Sequence, residues 1–200
     1  MKQIQRVLTG ENIDEISAEF IESLTEIGES IHGLRGIALF TALKRDKLKG
    51  GPYPGVSLFE AANRIMSDLV ILRGVAGLIE KEHFPFFSYT VEFGNENKNG
   101  FDIRASSKRA TLVGEAFNVA PSFFQVKKRS ALKKLRGHGT ESTYKVLMFN
   151  EDAASATYLP KAELGLHHIL VGIHSGTVQV RPNPSAALTS NGIRPSAPTR

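Results

Sequence analysis

The chain contains no cysteine, which excludes a disulfide framework, a thiolate metal site and a cysteine nucleophile. No apolar run is long enough to span a bilayer. The opening MKQIQRVLTGEN lacks the apolar stretch of a secretory signal. Neither a P-loop nor a G-x-G-x-x-G dinucleotide fingerprint occurs, and no internal repeat is visible. Large apolar residues almost vanish from Asn183 to Arg200, a stretch of Pro, Ser, Ala, Asn and Thr that predicts a disordered tail over residues 183–200. These absences leave a soluble cytoplasmic protein as the expectation. Its 200 residues, 41% of them apolar, suffice for one domain with a proper core, alone or with an appendage. The net charge of +5 is moderate, so its distribution matters more than its value.

The most informative stretch runs from Phe86 to Arg136. It reads FFSYTVEFG, the turn NENKNG, FDIRA, the turn SSKRA, TLVGEAFNVA, then PSFFQVKKRSALKKLR. Alternating apolar and polar residues predict three successive strands, and the short polar turns predict an antiparallel meander. Pro121 closes the third strand, and Ser122 with Gln125 forms an S-x-x-Q capping box for a helix. Strand alternation puts Asp102 and Arg104 on one face and Phe101, Ile103 and Ala105 on the other. On the third strand Glu115, Phe117 and Val119 share a face. In the simplest hairpin register Asp102 and Glu115 lie on adjacent strands and face the same way. A carboxylate among Leu112, Val113, Ala116 and Phe117 is costly unless it is paired or holds a cation. Two close carboxylates repel, and a divalent metal neutralises both. A plainer reading makes both acids surface residues or partners of Arg104.

Upstream, Ile13, Ile16, Phe20, Leu24, Ile27, Ile31 and Leu34 form an apolar stripe over residues 12–43, which reads as one long helix or two consecutive ones. Glu15, Glu19, Glu22, Glu26 and Glu29 make its other side acidic. This N-terminal helical arm, residues 1–50, packs on the core of residues 51–182 or forms a dimer. Lys44 to Ser57 is a Gly- and Pro-rich loop, and Ser57 with Glu60 opens a helix from Leu58 to about Glu80. That helix is apolar nearly all round, so it is expected to be buried against a sheet. Arg64 is placed to pair with Glu60 or Asp68 at helical spacing.

Downstream, YKVLMFN is apolar on both faces and reads as an interior strand, and HHILVGIHSGTVQVRP reads as a late hairpin. His167, His168 and His174 lack a second cluster at ligand spacing, so they read as sheet-surface histidines rather than a zinc site.

The order helix, three-strand meander, helix, strand, with an acid opening the second strand in GFDIRA and another inside the third in LVGEAFNV, resembles the PD-(D/E)XK nuclease superfamily. The resemblance covers about Ser57 to Asn150. It implies an α/β fold with a central mixed sheet flanked by helices, restriction-endonuclease-like in architecture. It further implies a DNA endonuclease that uses Mg²⁺ or Mn²⁺, held by Asp102, Glu115 and, from the preceding helix, Glu60. The family pattern places a lysine two residues after the second acid, where this chain has Phe117. Lys127 or Lys128, on the following helix, could supply the missing ammonium. Otherwise the fold has kept binding and lost catalysis.

Lys127, Lys128, Arg129, Lys133, Lys134 and Arg136 crowd ten residues without an interleaved acid. Like charges at i,i+4 repel, so this helix fits either a solvated face or a polyanionic partner, and the lack of relieving acids favours DNA. Arg104, Lys108 and Arg109 could border the same cleft. Three functions therefore stand: a metal-dependent DNA nuclease, a silent nuclease-like module binding nucleic acid or protein, and an interaction protein using its acidic arm. A homodimer is compatible with each.

Overall fold

Among the described residues, strand-forming segments rich in Val, Ile, Leu and aromatics assemble one seven-stranded mixed sheet in the order β1-β2-β3-β4-β5-β6-β7. The strands are β1 (Gln5–Thr9), β2 (Ser88–Glu92), β3 (Ile103–Ser106), β4 (Thr111–Phe117), β5 (Tyr144–Asn150), β6 (Leu166–Val171) and β7 (Val178–Arg181). The computed structural model describes residues 5–94, 100–138 and 142–184. Most of the turn NENKNG, part of the turn before β5, and residues 185–200 of the expected disordered tail lie outside those residues.

Neighbours from β1 to β4 pair antiparallel, β4, β5 and β6 run parallel, and β7 returns antiparallel to β6. The parallel portion requires a crossover between β4 and β5, which α5 (Pro121–Gly137) supplies. Strands β5 and β6 are buried on both faces, as interior parallel strands demand. This corrects the expectation for two histidines. His167 and His168 are buried, their Nδ1 atoms 2.8 Å from the Pro182 carbonyl and the Tyr158 hydroxyl respectively. His174 is exposed.

One face of the sheet packs on α4 (Leu58–Glu80), whose N-terminus is capped by the Ser57 hydroxyl accepting from the Glu60 N–H at 3.3 Å. Val70, Ile71, Val75 and Leu78 join Leu8, Tyr89, Ile103, Leu112 and Met148 in the main core. Contact is close because α4 presents Gly74 to Met148 and Gly77 to Val178. The opposite face packs on α5 through Phe124, Ala131 and Leu135, which meet Val113, Phe117, Leu147 and Phe149. Phe117 stacks on Phe149 at 5.9 Å, so it fills core space.

Three departures from the sequence reading concern the helices. The N-terminal segment forms α1 (Ile13–Ser23), α2 (Thr25–Ile31) and α3 (Gly36–Lys44), broken at Leu24 and again near Gly33 and Gly36, both of which have positive φ. The same segment supplies β1, so the expected arm shares the sheet with the core. Finally, α5 starts at Pro121 with Ala120 as N-cap, and Ser122 makes no capping box. Proline suits the first helical position because its missing N–H would have no partner there.

Candidate active site and nucleic-acid face

Asp102 and Glu115 are brought together by the β3–β4 register. Ile103 pairs with Gly114 and Arg104 with Val113, so one step further back Asp102 falls opposite Glu115. Strand β3 begins only at Ile103, and the alternation stops there: Phe101 packs with the α5-side cluster instead of joining Ile103. The Asp102 carboxylate turns into the line of the sheet, where Oδ2 accepts the Ala116 N–H at 2.8 Å. It thereby takes the place of the carbonyl that a continuing strand would have offered.

Glu115 points to the α5 side between Val113 and Phe117. Its Oε1 stands 2.7 Å from the Lys134 ammonium in an ion pair. The Glu115 side chain is 12% exposed, and burial together with the Asp102 charge pushes its carboxyl up to about 7. Burial raises Asp102 as well, opposed by the Ala116 N–H and Lys134 and reinforced by Glu92. Lys127 acts electrostatically on both acids, lowering each. Two half-buried, mutually repelling carboxylates are thus served by two lysines of one helix.

Sequence reading named Lys127 or Lys128 as the reaching lysine. Lys127 lies within electrostatic range of the pair. Lys128 turns away, its ammonium 5.2 Å from the Phe124 ring and 5.3 Å from the Tyr158 ring. The direct contact belongs to Lys134, two turns beyond Lys127 on the same stripe, which was placed only among the nucleic-acid contacts. Lys134 also stands 5.3 Å from the Phe101 ring. A rule of i,i+7 spacing from Lys127 could have found it.

Glu60, expected as the helix-borne ligand, is held instead in an i,i+4 ion pair with Arg64 at 2.7 Å. The acid of α4 that feels Asp102 is Asp68, about 12 Å further along the helix. Asp68 is 1% exposed. The Tyr53 hydroxyl donates to its Oδ2, and the Gly94 N–H donates to Oδ1 at 3.0 Å. Burial pushes its carboxyl up to about 7. Gly94 has φ +87°, and a Cβ there would stand 3.1 Å from the Tyr53 ring, so this clamp requires glycine. Asp68 therefore ties the Pro-Tyr-Pro loop and the end of β2 to α4, with its two oxygens occupied.

The remaining basic candidates divide by position. Arg129 and Lys133 are exposed on α5. Arg136 is taken by Glu163, with contacts of 3.1, 3.1 and 2.6 Å, so an acid distant in sequence relieves part of the basic run. Arg104 is exposed, its guanidinium 5.7 Å from the Phe101 ring. Lys108 and Arg109 occupy the β3–β4 turn, roughly 16 Å along the strands from the acid pair, and do not border it.

Among the described residues no three or more His, Asp or Glu side chains gather as a metal-binding group. The available donor set is two carboxylates. It suits a hard divalent cation that keeps waters in its remaining positions. Burial is the first cause of the upward shift of both carboxyls, and Lys134 and Lys127 oppose it. Among the described residues no helix is long and apolar enough to cross a membrane.

Fold and site define an α/β protein with a mixed sheet flanked by helices, carrying a lysine-supported acid pair where β3 leaves β4. No family model matches the chain, and neither a curated protein nor a solved structure matches it.

Proposed function

We propose that this chain is a Mg²⁺-dependent DNA nuclease of the PD-(D/E)XK type, with Asp102 and Glu115 as the acid pair and Lys134 in the role of the displaced lysine. On this reading β2, β3 and β4 take the part of the antiparallel three-strand meander, and the sheet is restriction-endonuclease-like. The observation that carries the reading is the convergence of Glu115, Asp102 and the Lys134 ammonium at 2.7 Å from Glu115 Oε1.

Asp102 and Glu115 would hold the Mg²⁺ or Mn²⁺. When bound, the ion would supply Lewis-acid chemistry, activating water and offsetting charge on the phosphate oxygens. Lys134, anchored on Glu115, presents positive charge to the attacking oxygen and the developing phosphorane. Lys127 adds charge two helical turns away and draws the phosphate backbone in. Phe124, Phe149 and Phe117 pack beneath and hold α5 at a fixed height over β4. Glu115 must lose its proton to bind a cation, so metal affinity and cleavage rise as pH passes through about 7.

Incubation of supercoiled plasmid with Mg²⁺ or Mn²⁺ tests this. Wild type should nick it, and Asp102→Asn or Glu115→Gln should each lower the rate by about 10²-fold or more. Equal behaviour of all three proteins would overturn the proposal.

A second reading, the silent nucleic-acid-binding module, draws on the same ion pair, since Lys134 neutralises Glu115 without a metal. DNA retention that weakens with salt, with no cleavage under either metal, selects it.

A further inference from the structure

We propose that the stripe of α5 beside the acid pair is a track for single-stranded DNA, with Phe123 as the platform on which an unpaired base stacks. This names the substrate class of the nuclease reading and rests on that reading for cleavage alone.

Phe123, Lys127, Ser130, Lys134 and His138 follow one another at spacings of four, three, four and four residues, which makes a single helical stripe. Two members fix where the stripe faces. Lys134 touches Glu115, and the Lys127 charge acts on Asp102 and Glu115. Phe123 lies one turn, about 6 Å, before Lys127. It is 66% exposed, whereas its neighbour Phe124 is 2% exposed and fills the core. Val126, also 66% exposed, widens the apolar platform. At the far end the His138 ring meets Phe101 edge-on at 4.8 Å. There a cavity of about 310 Å³ opens, lined by Arg104, His138 and Ser142 among others. From Phe123 to His138 the track measures about 22 Å.

Charge selects the occupant. The run from Lys127 to Arg136 holds six cations and no acid. Of these, Lys134 is paired by Glu115 and Arg136 by Glu163, which leaves the phosphate-binding work to Lys127 and its exposed neighbours. A polyanion fits these cations, but an exposed aromatic in line with them adds a second requirement. In a blunt duplex the base faces are covered by their neighbours, whereas an unpaired base offers a free π-face to Phe123. A strand with a base on Phe123 would carry its backbone across Lys127 and on past the Lys134–Glu115 pair beside Asp102.

Fluorescence anisotropy in EDTA, with a labelled oligothymidine and a labelled blunt duplex of equal length, tests the proposal apart from cleavage. Phe123→Ala should weaken oligothymidine binding about tenfold and leave duplex binding unchanged, and Phe123→Tyr should restore it. Because the side chain is exposed, both variants should keep the wild-type circular dichroism spectrum and melting temperature. Three results would overturn the proposal: unchanged oligothymidine affinity in Phe123→Ala, equal weakening for strand and duplex, or no retention of either nucleic acid at low salt. Phe123-dependent binding without metal-dependent cleavage would instead overturn the nuclease reading and leave this one standing.

Discussion

At the scale of single residues, Lys134 and Glu115 illustrate how much can be read from a chain and where reading stops. Glu115 stood out because it interrupts an apolar strand, and period-two alternation placed it opposite Asp102, as the register does. Its lysine was out of reach of that argument. Which of four lysines on α5 touches Glu115 depends on the rotation of the helix, set by Phe124, Ala131 and Leu135 sinking into the sheet. Which acid of α4 is buried within electrostatic range of Asp102 was hidden for a similar reason. Glu60 and Asp68 are both acids of α4, and what distinguishes them is burial of Asp68 under Tyr53 and Gly94, partners 15 and 26 residues away. Local spacing carries no trace of such contacts. The Lys134 assignment has a direct consequence. On the nuclease reading, Lys134→Met should lower the cleavage rate by about 10²- to 10³-fold, measured as kcat under saturating metal, with little change in KM. Lys128→Met, on the other side of the helix, should leave kcat near wild type.

At the scale of elements, α4 was the most legible, since Ser57 and the apolar run defined its ends. Hidden in the same run was the spacing of Gly74 and Gly77, which lets α4 settle against β5 and β7. A Cβ on Gly77 would stand 2.4 Å from Val178 Cγ2. Alanine is the better helix former by about 1 kcal/mol, but overpacking of a close interface costs about 1–3 kcal/mol. Gly77→Ala should therefore destabilise in urea, whereas Gly28→Ala on α2, with nothing within 4 Å of its new methyl, should stabilise by up to about 1 kcal/mol. The basic face of α5 has its own test. Lys127→Ala should reduce the slope of log affinity for DNA against log salt by about 1, and Lys108→Ala, distant in the β3–β4 turn, should leave it unchanged.

At the scale of the whole molecule, the sheet was legible from β2 to β7 because each strand carries its own alternation or apolar run. QRVLT was not. A five-residue edge strand gains its identity by pairing with β2, and no local pattern announces it. The whole-chain property most exposed to test is the dependence of stability on pH, where buried groups oppose each other, Asp68 and His168 among them. Between about pH 4 and 7 the folded protein keeps a proton on Asp68 that the unfolded chain has released, so this contribution is present below pH 4 and is lost as pH rises towards 7. Burial holds His168 down to about 4, so its contribution is present above pH 6.5 and is lost as pH falls towards 4. Asp68→Asn removes the first and leaves the second. Thermal melts from pH 4 to 8 should show the variant losing stability on acidification more steeply than wild type, by on the order of 2–4 kcal/mol across the window.

The bond from Ala116 N–H to the Asp102 carboxylate makes one side chain serve both as the last rung of a ladder and as part of the acid pair. Whatever draws that carboxylate outward frees a backbone amide near the end of β4, and whatever protects that amide holds the acid in place. The position of the Asp102 carboxylate and solvent exchange at a single peptide hydrogen are thereby geared together, so the sheet itself becomes a gauge of the acid pair.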